Sequence, residues 1–248
     1  MADWRNAPML PRFLSSADSE RAFHTFPKLL QHDVSRWALA GGMALEIHCL
    51  LRGQPPPIRP LNDIDFVAPA FDCIPESLAK DFLFRHVHPF DPPGKTMLQL
   101  VDASSAIRID LFRANGAIMG RTVTVHLPSG PIQLISVEDV LARTARLLLD
   151  LDRAVPVPAK HARDRLRLLE LVRPSDVDTA WRDHRKATHP STFSETNALL
   201  QMLIPARRNL LVAPEYSKDT AALCLRCAPH SCFPLADANV VLSLLGYC

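Results

Sequence analysis

The sequence predicts an α/β (α+β) protein: a mixed sheet with flanking helices, followed by a helical C-terminal domain. Three observations predict it. Between residues 36 and 135, short apolar runs are separated by turn signals, and their period switches between that of strands and that of helices. Beyond residue 135 the chain changes to amphipathic helical segments such as AKHARDRLRLLELV. And 22 prolines against 8 glycines favour short elements joined by stiff connections.

Residues 1–34 read as an arm and one helix, SADSERAFHTFPKLLQHD, with Ser16 or Asp18 as its cap. RWALA is a short apolar strand that stops at Gly41-Gly42. MALEIHCLLRG then places Met43, Ile47, Leu50 and Leu51 at helical spacing until Gly53 ends it, so the unit is strand, Gly-Gly turn, helix. GQPPPIRPLN is a stiff loop. DIDFVAPA alternates acidic and apolar residues, which puts Asp63 and Asp65 on one strand face and Ile64 on the other. Residues 73–91 suggest a short helix and a turn. KTMLQLVDA and SAIRIDLFRA read as paired strands, and TVTVHLPSGPIQLI as a hairpin turning at Ser129-Gly130. Ser136-Val-Glu-Asp139 has the capping-box pattern that opens the helix VEDVLARTARLLLDLD. VPVP is a linker, and helices continue to about residue 210. The expected domains are therefore 1–135, α/β with an N-terminal helix; 136–222, helical; and 223–248, a Cys-rich segment.

Bulk properties exclude several classes. A chain that is 48% apolar and 22% charged is neither disordered nor fibrous. A net charge of +2 demands neither nucleic acid nor an anionic membrane. The start, MADWRNAPMLPRF, lacks the charged-then-apolar layout of a signal peptide, and no apolar run approaches a membrane span. The expectation is a cytoplasmic protein without a membrane partner, its six cysteines free thiols or metal ligands rather than disulfides.

Three features carry chemistry. Gly41-Gly42 joins a strand to a helix, where residues without Cβ let backbone approach a phosphate and the helix start offers unpaired N–H groups; a Gly-Gly pair is also commonly just a turn. Asp63 and Asp65 repel at such close range unless a cation holds them, and Mg²⁺ takes one or two carboxylates plus substrate phosphates; a solvated edge strand is the plainer alternative. Asp110 is an acid inside the apolar strand AIRIDLF, where an unpaired charge is costly. Either it pairs with Arg108 on the same strand face, or it is a third carboxylate delivered to the same site.

In this order, AGGMALEIH (40–48), RPLNDIDFV (59–67) and IRIDLF (107–112) resemble the motifs of the nucleotidyltransferase superfamily built on the polymerase-β-like fold. The resemblance is nearer to its minimal members, the antibiotic nucleotidyltransferases and the nucleotidyltransferase toxins of abortive-infection systems. It covers residues 36–112, more weakly to about 170. It implies a nucleotidyltransferase-like sheet, Mg²⁺ (or Mn²⁺) held by Asp63, Asp65 and Asp110, and Asp110 as base or orienter of the acceptor. It also implies NTP phosphates held at Gly41 and Gly42, Lys160 on phosphate, and Asp164 in support. The chain departs from the family pattern in a longer, proline-rich stretch before Asp63, and in Gly42 where many relatives carry serine. The implied function is transfer of a nucleoside monophosphate from NTP to an acceptor hydroxyl or phosphate on a small molecule, RNA or protein. An RNA or antitoxin partner is left open.

Other residues have two readings each. Arg59 contacts phosphate or is a solvated or acid-paired loop arginine, and His48 is a surface or core histidine. His86, His88 and Asp91, flanked by Pro89 and Pro92, read as a surface loop rather than a metal cluster. The tail Cys224-x-x-Cys227-x-x-His230-x-Cys232 carries a Cys-x-x-Cys half-site for Zn²⁺, though free cysteines also fill cores. Basic clusters such as KHARDRLR and RRNLL have acidic neighbours and read as mixed solvated surface rather than a polyanion groove. The alternative to an enzyme is a catalytically inactive nucleotide- or partner-binding homologue with a zinc-stabilised tail.

Overall fold

The structure, a computed structural model, describes residues 12–213 apart from 55, 62, 71–72, 89–96 and 128. The Cys-rich tail, with Cys224, Cys227, His230 and Cys232, and Asp91 lie outside the described residues.

The first helix, α1 (Ser16–Leu29), is capped by Ser15, whose Oγ accepts from the Asp18 backbone N–H at 3.1 Å, one residue before the expected caps. Seven strands follow in one mixed sheet: β1 (Ala38–Leu39), β2 (Asp63–Ala68), β3 (Leu83–His88), β4 (Met97–Asp102), β5 (Ile107–Arg113), β6 (Val123–Leu127) and β7 (Gly130–Leu134). Their order across the sheet is β3-β4-β5-β2-β1-β7-β6. The expected β4–β5 pairing and the β6–β7 hairpin are both present and antiparallel. β1 runs antiparallel to β2 and parallel to β7, and β2 runs parallel to β5. Residues 73–91 differ from the expectation: Glu76–Lys80 is a short 3-10 helix, but Leu83–His88 is a full edge strand that places His86 and His88 in a ladder rather than a loop.

Between β1 and β2 the chain makes α2 (Gly41–Leu51), in which Met43 through Leu50 are all buried. A helix apolar on nearly every side belongs in the interior. The later helices are α3 (Val137–Leu148), α4 (Lys160–Leu169), α5 (Asp178–His184) and α6 (Phe193–Ala206), and α2 packs on β2, α3 and α4. α3 opens as expected on Ser136, whose Oγ accepts from the Asp139 N–H at 3.1 Å. The presumed linker VPVP is partly a strand: β8 (Val157–Pro158) pairs in parallel with β9 (Leu211–Val212), returning the chain to the start of α4 after three helices. The expected boundary at residue 135 falls between β7 and α3, and one hydrophobic cluster runs across it, from Trp37 and Phe66 on the sheet to Trp181 and Phe193 on the helices. Among the described residues no helix is long and apolar enough to cross a membrane.

Candidate functional site

The parallel register of β2 and β5 sets Asp63 opposite Arg108 and Asp65 opposite Asp110. Paired residues on neighbouring strands face the same way, and so do residues two apart along one strand. Four charged side chains therefore share one patch of the sheet, three acidic and one basic. Of the two sequence alternatives for Asp110, the ion pair is present: Arg108 Nε lies 3.2 Å from Asp110 Oδ1, while the ladder sets Asp110 beside Asp65. Arg108 Nη2 donates to Asp63 Oδ2, so one guanidinium bridges two carboxylates. Gln99 of β4 adds a buried hydrogen bond, Nε2 to Asp110 Oδ1 at 2.8 Å.

Asp65 lies among charges of both signs. Burial and then the charges of Asp63 and Asp110 push its carboxyl up to about 7, against the pull of Arg143 and Lys160. Asp110 is also raised, chiefly by burial, with Arg108 working the other way.

Gly41 begins α2 at a positive φ of 62°, and a Cβ placed on it would lie 1.8 Å from Asp65 Oδ2. The helix start thus lies directly against the carboxylate. Ala40, the residue before, donates its N–H to the Asp65 carbonyl at 2.8 Å and gives α2 no side-chain cap. The Gly-Gly pair is more than a turn here: Gly41 is a contact surface, and Gly42 lies beside the Arg59 guanidinium, 3.4 Å from where its Cβ would be.

Arg59 takes the acid-paired reading. Its Nη1 donates to Glu46 Oε1 at 2.7 Å, and its two terminal nitrogens each reach an Asp164 oxygen at 3.2 Å. Glu46, fully buried on α2, also accepts two bonds from Arg167 of α4 at 2.8 and 2.7 Å. Asp164 thus helps hold Arg59 in place. His48 is a core histidine: its ring Nε2 is 2.8 Å from the Ile135 carbonyl, and burial lowers its pKa to about 4.

A small cleft of about 60 Å³ brings Gly42, Glu46, Arg59, Asp63, Asp65 and Lys160 together. An adjoining one of about 90 Å³ is lined by Gly41, Asp65, Arg143, Lys160, His161 and Asp164. Burial, then Lys160, Arg143 and Arg59, lower the His161 pKa to about 4. A larger cavity, about 810 Å³, lies elsewhere, between the far end of α2 and β6, and none of the predicted site residues lines it.

Sequence reasoning missed Glu46, Gln99, Arg143, His161 and Arg167. Glu46 and Gln99 had a signal: each is a polar residue set among apolar neighbours in a buried element. The others sit on amphipathic helices, where a basic residue is unremarked until packing turns it inward.

Asp63 and Asp65 fit the donor set that Mg²⁺ accepts, one or two carboxylates with the rest from phosphate and water. Asp110 is not among the residues lining the cleft and is occupied by Arg108 and Gln99. Among the described residues no group of three or more His, Cys, Asp or Glu is gathered closely enough to hold a metal ion.

No family model and no curated protein matches the chain. Among solved structures, it is similar to an antigenic nucleotidyltransferase-like protein from Paracoccidioides brasiliensis, at 15% identity over 80% of this chain and 94% of that one, with a TM-score of 0.39. It is also similar to the antibiotic-resistance factor ANT(2'')-Ia, at 14% identity over 75% of this chain and 97% of that one, with a TM-score of 0.43. The overlap is loose, and the functional reading stands on the site's own geometry.

Proposed function

We propose that the chain is a metal-dependent nucleotidyltransferase that moves a nucleoside monophosphate from NTP to an acceptor hydroxyl or phosphate, with pyrophosphate as the leaving group. The observation that carries this reading is the placement of Asp65 opposite Asp110 and directly against the glycine that starts α2. A carboxylate beside a helix start is favourable by itself; two acids, Asp63 and Asp65, gathered at one anion-binding helix start also suit a metal-bound polyphosphate.

Asp63 and Asp65 would hold the divalent ion. When bound, it would supply charge stabilisation at the α-phosphate. The N–H groups at Gly41 and Gly42 would take the terminal phosphates, with Lys160 and Arg143 facing them across the adjoining cleft. Glu46 and Asp164 would keep Arg59 at the cleft wall as a fixed positive charge. Asp110 would orient the acceptor and take its proton. Catalysis on this plan is positioning and electrostatics.

The test is calorimetric titration with each ribonucleoside triphosphate in the presence of Mn²⁺, wild type against the Asp63→Asn/Asp65→Asn pair. Metal-dependent binding lost in the double variant supports the reading and justifies screening acceptors with labelled NTP. No binding, or equal binding by both, sinks it. The Arg108 bridge favours a second reading, a metal-free nucleotide-binding homologue. That reading requires nucleotide to bind equally well with the metal chelated.

A further inference from the structure

The acidic patch already contains a cation. Arg108 lies opposite Asp63 in the β2–β5 ladder and two residues from Asp110, so its guanidinium is delivered to both carboxylates by the sheet itself. It hydrogen-bonds Asp63 Oδ2, and its Nε faces Asp110 Oδ1 at 3.2 Å. The contact with Asp110 is poorly aligned: Nε is buried without a hydrogen-bond partner, and the nearby Gln99 Oε1 is another buried polar atom without one. One edge of the bridge is thus a strong pair and the other an imperfect one. A guanidinium in this position does what a divalent ion would do there, neutralising acids that the fold forces together.

We propose that Arg108 is an internal counter-cation that competes with divalent metal for Asp63, so that metal binds Asp63 and Asp65 fully only when the guanidinium leaves. This rests on the transferase reading of the same site. A displaced guanidinium, planar and forked, gains a bidentate phosphate partner in an incoming triphosphate. Metal and nucleotide would therefore enter together, each lowering the obstacle to the other. In the absence of nucleotide, Arg108 keeps the carboxylates neutralised.

The experiment is Mn²⁺ titration of the whole chain, followed by the paramagnetic resonance signal of free Mn²⁺, for wild type, Arg108→Gln and Arg108→Lys, each without nucleotide and with a non-hydrolysable NTP analogue. Thermal denaturation alongside establishes that each variant is folded. Without nucleotide, Arg108→Gln is expected to bind Mn²⁺ about tenfold more tightly than wild type, while Arg108→Lys, which keeps the positive charge, stays near wild type. With the analogue the advantage of Arg108→Gln should shrink or reverse, because wild type then gains its phosphate contact. A purely structural arginine would lower thermal stability without tightening the metal. Equal or weaker Mn²⁺ binding by Arg108→Gln overturns the proposal and leaves the metal site standing. If no variant binds Mn²⁺ at millimolar concentration under either condition, the proposal fails together with the transferase reading.

Discussion

Asp65 occupies the space that a side chain on residue 41 would need. Its Oδ2 lies 1.8 Å from the position of a Gly41 Cβ, and Gly41 also holds a positive φ of 62°. Helix start and carboxylate are therefore mutually exclusive with any other residue here. Gly41→Ala is expected to lose metal-dependent nucleotide binding and roughly 2 kcal/mol or more of stability, from left-handed strain plus displacement of Asp65. Gly53→Ala is the matched control. Gly53 also has a positive φ, 77°, but nothing within 4 Å of its Cβ position. It should cost about 1 kcal/mol and leave nucleotide binding intact. Equal binding by the two variants would detach the helix start from the site.

Asp65 is half-buried among acids, so its charge burdens the metal-free fold. Asp65→Asn should raise the melting temperature in chelator, by the equivalent of roughly 1 kcal/mol, while abolishing metal-dependent binding. A lower melting temperature would mean that the carboxylate has a stabilising partner in the metal-free state.

Lys160 and Arg143 face Asp65 across the cleft from α4 and α3. Lys160→Gln is expected to weaken NTP binding about tenfold, a loss of about 1.4 kcal/mol, with little change in Mn²⁺ affinity. The salt dependence of NTP binding should flatten in parallel. An effect on Mn²⁺ alone, with NTP unaffected, would move Lys160 from the phosphate to the acids.

Acid sensitivity should originate away from the site, at Asp139. Burial opposes its carboxylate, but hydrogen bonds from His184, Arg121 and Ser136 outweigh that and lower its pKa from 3.8 to about 2. A depressed pKa contributes stability that is complete above the unfolded value and is lost as pH falls through the folded one. Urea midpoints should therefore drop between about pH 4 and pH 2. Asp139→Asn should flatten that window and destabilise the chain at pH 7 by on the order of 3 kcal/mol, since Arg121 and His184 lose a buried partner. An unchanged acid limb would assign the sensitivity to other carboxylates, Asp102 first, which Ser104, Lys28 and Thr25 hold well below the usual range.

What the sequence made readable was whatever period and turn chemistry encode locally. The strand–Gly-Gly–helix unit, the β4–β5 pairing, the β6–β7 hairpin, the Ser136 cap and the shared face of Asp63 and Asp65 all follow from spacing within a dozen or so residues. What it left hidden depends on distant pairings. Nothing local says that β2 lies beside β5, yet that register is what brings Arg108 to Asp63. β8 looks like a linker because its only ladder partner is more than fifty residues further on. Ser15, Ser16 and Asp18 are all competent caps, and tertiary context chose among them. Glu46 was visible as an acid in an apolar helix, but its two arginines arrive from a loop and from α4.

The Glu46–Arg167 pair spans 121 positions of the chain. On a ribosome adding roughly ten residues per second, α2 would be complete about ten seconds before Arg167 is made. In that interval Glu46 faces burial with its second cation not yet synthesised, so the sheet half has reason to stay open until α4 emerges. A nascent chain stalled shortly after residue 135 should be readily cleaved by protease, and resistance should appear only once α4 has cleared the exit tunnel. The timing of synthesis, and not only the finished contact, thus ties the first half of this protein to the second.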